Sequence, residues 1–186
     1  DGCGARWAGV LIHLPQGGLQ TISYGGSQEA GLRAGTEHTG AIVGCAEAII
    51  TAQAGYGKRA TVIAKERDRL QTTLLEEIPE CVLNGSETDR LANNLNVSVS
   101  GLNSELAVVA LDQAGVAAST KSACGGTDNG GSAVVMAMTN DHERANSTIR
   151  FTLGPDSTVS KADCERIVKT LRAVQKRQAR FDSTGN

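Results

Sequence analysis

The sequence predicts an α/β to α+β fold in which a small sheet is covered by helices. Three observations carry this. Leu95, Val97 and Val99 alternate with Asn94, Asn96, Ser98 and Ser100, the mark of a half-buried strand. Ile149, Phe151 and Leu153 alternate in the same way with Thr148, Arg150 and Thr152. Cys164, Ile167, Val168, Leu171 and Val174 recur at helical spacing behind a Ser160-x-x-Asp163 capping signature. Strands and helices interleave, so the later strands belong in one sheet under helices.

The remaining elements follow in order. From Gly2 to Gly26, glycines separate short apolar runs such as Val10-Leu11-Ile12, which predicts short strands joined by turns. The stretch from Tyr24 to Glu37 carries no regular pattern until Thr36, a capping residue for the helix that follows. Ile42, Val43, Ala46, Ile49 and Ile50 repeat at helical spacing in that helix. Gly55-Tyr56-Gly57 interrupts it, and a second helical segment runs from about Arg59 to Glu77, ended by Pro79. Its run Lys65-Glu66-Arg67-Asp68-Arg69 reads as a solvated face. A helix is predicted from about Ser104 to Gln113, and a short strand near Val116. Residues 119–132 hold four glycines and no periodicity, which predicts a mobile loop.

Composition narrows the function classes. The chain of 186 residues suits one domain, or a small domain plus part of a neighbour. A net charge of −2 predicts no attraction to nucleic acid or acidic lipid, and no apolar run approaches membrane length. The basic cluster Lys169, Arg172, Lys176, Arg177 and Arg180 reads as the wet face of a terminal helix. Five cysteines occur without a CxxC pair or zinc spacing, so no metal site is expected, and the odd count favours reduced thiols in the cytoplasm. The chain begins at Asp1, within what reads as a packed segment, as expected of a fragment or a processed chain.

Three residues are candidates for chemistry. Cys124 sits in the polar, glycine-bearing loop three residues after Lys121, where a thiol has access, freedom and a nearby positive charge. Cys45 and Cys164 fall on helical faces and read as core. Arg150 points away from the apolar face of its strand: either an arginine on a solvated sheet face, or a fork that grips a carboxylate through two parallel hydrogen bonds. Thr36 is either a plain N-cap or a hydroxyl that donates to a phosphate at the helix start. His13, His38 and His142 are scattered and read as structural or surface residues.

Three segments, in this order, resemble the cysteine desulfurase family of fold-type I pyridoxal-phosphate enzymes, in the class V aminotransferase superfamily. They are Tyr24 to Thr36 (YGGSQEAGLRAGT), Ser119 to Cys124 (STKSAC) and Ser147 to Gly154 (STIRFTLG). The opening Gly2-Cys3-Gly4-Ala5 is similar to the strand after the family's cofactor-binding lysine. The resemblance implies residues 1–55 as the end of a large pyridoxal-phosphate domain with the start of a connecting helix. Residues 56–186 would be the small C-terminal domain with the cysteine loop. It implies that the Cys124 thiolate attacks the sulfur of substrate L-cysteine, leaving a persulfide and releasing L-alanine. Arg150 would clamp the substrate carboxylate. Thr36 would reach the cofactor phosphate of the partner subunit in a homodimer. The Ser-Ala-Cys motif favours the subgroup feeding iron–sulfur assembly and tRNA thiolation, with a sulfur-acceptor protein such as a scaffold as partner.

The sequence also departs from the family. The cofactor lysine has no counterpart, the first lysine being Lys58 in a helical segment, so this chain alone is expected to be inactive without the N-terminal half. The family's histidine before the Arg150 strand is replaced by Arg144-Ala145-Asn146, and Gly126 stands where relatives often carry polar residues. The alternatives are a selenocysteine lyase or class V aminotransferase, and a non-catalytic sulfur-carrier or interaction fragment.

Overall fold

The computed structural model describes residues 8–14, 17–120 and 131–184. The chain divides into two compact units, Asp1–Tyr56 and Gly57–Asn186.

In the first unit, the described residues among 8–26 form no strand, contrary to expectation. A strand exists only through a neighbour that completes its ladder, and Val10, Leu11 and Ile12 are exposed instead. The loop from Thr21 to Gly35 is closed by its own bonds. Thr21 Oγ1 donates to the Gly31 carbonyl, the Ala34 amide to the Ser23 carbonyl, and the Gly35 amide to Gln28 Oε1. Within it lies a 3-10 turn, Glu29–Gly31, which the sequence pattern did not announce. Glu29 and Ala30 there hold φ of 49° and 56°, a left-handed region that side-chain-bearing residues rarely occupy. Helix α1 spans Thr39–Gln53. Its cap is His38, whose Nδ1 accepts from the Ala41 amide, and not the expected Thr36. A cap must sit beside the first helical residue, and Thr36 stands too far upstream.

The second unit carries α2 (Tyr56–Glu77), β1 (Cys81–Leu83), β2 (Asn94–Val99), α3 (Ser104–Gln113), α4 (Ala133–Thr139), α5 (His142–Asn146), β3 (Thr148–Thr152) and α6 (Lys161–Thr184). The strands form an antiparallel sheet in the order β1-β2-β3. Leu95, Val97 and Val99 of β2, with Ile149 and Phe151 of β3, line one face. Against them pack Leu70 and Leu74 of α2, Ala107 and Leu111 of α3, and the predicted stripe of α6. The α6 cap is a full box: the Asp163 amide donates to Ser160 Oγ while the Ser160 amide donates to Asp163 Oδ2.

The charged run of α2 corrects the sequence reading. Arg67 is buried and donates to the Leu91 carbonyl and to Asp68. Glu66 Oε2 accepts the Val159 amide at 2.7 Å, while Arg69 donates to the Val159 carbonyl. The run is a polar clamp on two chain segments brought from far along the sequence. No helix among the described residues is long and apolar enough to cross a membrane.

Candidate active site

Arg150 lies at the centre of β3, on the face opposite the core. Its main chain is engaged on the outer side. The Arg150 amide donates to the Ser119 carbonyl at 2.7 Å, and the Ser119 amide donates to the Arg150 carbonyl at 3.0 Å. Nη2 of Arg150 also donates to Ser119 Oγ at 2.9 Å. The strand expected near Val116 is therefore a single bridge at Ser119, because pairing begins only where the chain comes alongside Arg150. Arg150 is half-buried.

Register places Asn96 of β2 opposite Arg150. Since Arg150 turns its amide and carbonyl towards Ser119, this is a non-hydrogen-bonded pair, the kind in which facing side chains lie closest. Asn96 belongs to a polar lattice across the same face. Asn84 Nδ2 donates to Asn96 Oδ1 and to Ser98 Oγ, at 2.7 and 2.8 Å. Arg144 Nε donates to Asn84 Oδ1, and its Nη2 to the Leu83 carbonyl, a group that the edge strand leaves open. Ser98 and Thr148 hydroxyls both donate to the Arg144 carbonyl. The polar positions of β2 were expected on the open face of a half-buried strand. Ser98 and Thr148 are instead 1% and 0% exposed, because α5 closes over this end of the sheet and satisfies their hydroxyls.

The segment bearing Cys124 enters and leaves at two pinned points. Ser119 fixes the entry to β3. At the exit, the Ser132 amide donates to the Ala145 carbonyl of α5. Gly131 there has φ of 71°, and a Cβ on it would come within 2.6 Å of the Ala145 backbone. Cys124 and Lys121 lie outside the described residues. Among the described thiols, Cys45 is half-buried, Cys164 is buried, and burial pushes Cys81 up from 9.0 to about 11.

Thr36, in the first unit, is exposed, and its side chain makes no hydrogen bond to the described residues. Thr36 caps no helix. No group of three His, Cys, Asp or Glu among the described residues is placed to hold a metal ion. Sequence reasoning missed Ser119, Asn96 and Arg144. Ser119 carried a weak signal as the first residue of the Ser-Thr-Lys-Ser-Ala-Cys segment. Arg144 was noted only as a departure from the family, and its bond to Asn84 was hidden by their distance in sequence.

Residues 14–164 match the aminotransferase class-V family. The chain belongs to that family. Among its class-V relatives, the cysteine desulfurase IscS 1 of Archaeoglobus fulgidus is 39% identical over 176 residues, covering 95% of this chain and 44% of that protein. The cysteine desulfurase IscS of Clostridium botulinum strain Hall is 33% identical over 177 residues, covering 94% and 44%. The chain thus spans under half the length of the curated relatives it matches. A NifS-like protein from Rickettsia africae superposes with a TM-score of 0.67 at 23% identity, over 84% of this chain and 40% of that one. A second NifS-like protein gives 0.63 at 25% identity, over 86% and 39%. This class-V chain accordingly has the fold of part of a NifS-like protein.

Proposed function

We propose that this chain is the C-terminal part of a cysteine desulfurase, which takes sulfur from L-cysteine as a persulfide on Cys124 and releases L-alanine. The observation that carries the reading is the bridge between Arg150 and Ser119. It holds Ser119, five residues before Cys124 in the sequence, against a half-buried arginine fork. A fork held from one side keeps donors for a carboxylate, and a charge-assisted bidentate pair fixes the substrate's orientation.

The chemistry balances without an outside oxidant. The Cys124 thiolate attacks the substrate sulfur, an S–S bond forms, and the bond from that sulfur to the substrate β-carbon breaks. The β-carbon takes up a proton to become the methyl group of alanine, so carbon is reduced as sulfur is oxidised. Pyridoxal phosphate, when bound, supplies the electron sink that such bond cleavage needs. Of this chain's residues, Arg150 would hold the substrate carboxylate, and Thr36 would reach the phosphate of the cofactor bound in the partner subunit. Residues 1–55 belong to the end of the large cofactor domain and 56–186 to the small domain, in a homodimer that passes sulfur to an acceptor such as an iron–sulfur scaffold. Cys45, Cys81 and Cys164 are free thiols, in keeping with a reducing, cytoplasmic setting.

The test is reconstitution. This chain alone is expected to release no alanine from L-cysteine, and mixing with the N-terminal half of the enzyme restores release. In the complete enzyme Cys124→Ser abolishes persulfide, and Arg150→Ala lowers kcat/KM by about 2–4 kcal/mol while cofactor content is kept. A persulfide that survives Cys124→Ser defeats the reading.

A further inference from the structure

Arg150 carries five N–H donors on a side chain that turns freely unless something holds its plane. A fork grips a carboxylate with two parallel bonds only when that plane is set in advance; otherwise the ordering is charged against binding. Two features of the structure bear on how it is set. The main-chain bridge, with N···O distances of 2.7 and 3.0 Å, fixes the Ser119 and Arg150 backbones against each other. The 2.9 Å bond from Nη2 to Ser119 Oγ then fixes the guanidinium itself. Among the described residues, Ser119 Oγ is the one side-chain group to which Arg150 is bonded.

We infer that Ser119 is the positioning residue for Arg150, and that its hydroxyl sets the plane in which the guanidinium meets the substrate's α-carboxylate. The inference rests on the proposed carboxylate role of Arg150 and adds to it. Ser119 acts through Arg150 in this assignment. One hydrogen of Nη2 goes to Ser119 Oγ, and the second, with those of Nη1, stays directed at the ligand. The hydroxyl contributes no bond to the backbone bridge, so removing it leaves the sheet edge joined.

Two measurements test the assignment. The first uses the 186-residue chain itself. Nitrogen-15 exchange spectroscopy of the arginine side chains reads rotation about the bond from Cζ to Nη2. Rotation at Arg150 is expected to be slow in the parent and in Ser119→Thr, which keeps the hydroxyl, and fast in Ser119→Ala. Equal rates in Ser119→Ala and the parent overturn the inference. The second uses the complete enzyme with its cofactor. Ser119→Ala is expected to raise KM for L-cysteine by about three- to tenfold with kcat within twofold, and Ser119→Thr to stay near the parent. In an Arg150→Ala background, Ser119→Ala should add nothing, because the two residues act as one unit. An unchanged KM, or a full additional loss in that background, removes Ser119 from this role. If Arg150→Ala itself leaves KM and kcat unchanged, the carboxylate reading fails. Loss in Arg150→Ala with none in Ser119→Ala sinks the present inference alone.

Discussion

The two units of this chain use apolar residues in opposite ways. In residues 57–184, Val, Leu and Ile from three helices and two strands converge on one core, with Leu74, Leu95, Leu111 and Ile149 all at 0% exposure. In the described part of residues 8–56, Ala41 alone is buried, while Ile12 is 88% and Ile22 92% exposed. Both stretches contain the local signals of structure. The difference teaches that periodicity specifies an element, whereas a core requires a second surface to receive its apolar face.

That contrast gives unequal mutational costs. Leu74→Ala should destabilise the chain by about 2–5 kcal/mol in denaturant titration, since it opens a void under the sheet. Ile50→Ala, on the exposed side of α1, should cost within about 0.5 kcal/mol. Comparable losses at the two sites would erase the distinction between the units.

A second, smaller effect sharpens the comparison inside the second unit. Gly131→Ala should cost about 1–3 kcal/mol, because an added Cβ meets the Ala145 backbone and the residue has φ of 71°. Gly57→Ala, where an added Cβ meets nothing within 4 Å, should be neutral or stabilising. Thermal midpoints that fell equally in both variants would show that Gly131 is no anchor.

The smallest effect is read from thiols and pH. Limiting iodoacetamide at neutral pH should label half-buried Cys45 of the first unit ahead of buried Cys81 and Cys164 of the second. The folded Cys81 thiol is raised from 9.0 to about 11, so its contribution to stability is full below pH 9 and is lost as pH climbs through that window. Cys81→Val should flatten this alkaline decline; a decline of the same slope would assign it to other groups.

Much of the second unit was legible in the sequence for identifiable reasons. Helix α3 begins where Asn103 accepts two amides through its side chain, and α6 where Ser160 and Asp163 exchange bonds, so start signals and periodicity agree. Strand β1 was not legible: Cys81-Val82-Leu83 is too short to show alternation. Helix α4 was hidden because Ser132, its cap, closes a glycine-rich stretch and the Ala133–Met138 run is apolar without a polar face, and α5, at 5 residues, is too short to show a helical period. At the site, Arg150 was visible as an odd charge opposite an apolar strand face. Its pairing with Ser119 was not, because 31 residues separate them and only tertiary contact joins them.

The clamp of Glu66 and Arg69 on Val159 has one more consequence. These side chains recognise the amide and carbonyl of residue 159, groups that every residue but proline offers in the same form. The connection from Gly154 to Ser160 is thereby moored through its main chain at residue 159, while side chains matter at Val159 in the core, at Ser157, which accepts the Gly154 amide, and at Ser160 in the α6 cap. Pro155, Asp156 and Thr158 are exposed, so substitutions at these three positions should cost little while α6 keeps its berth on α2.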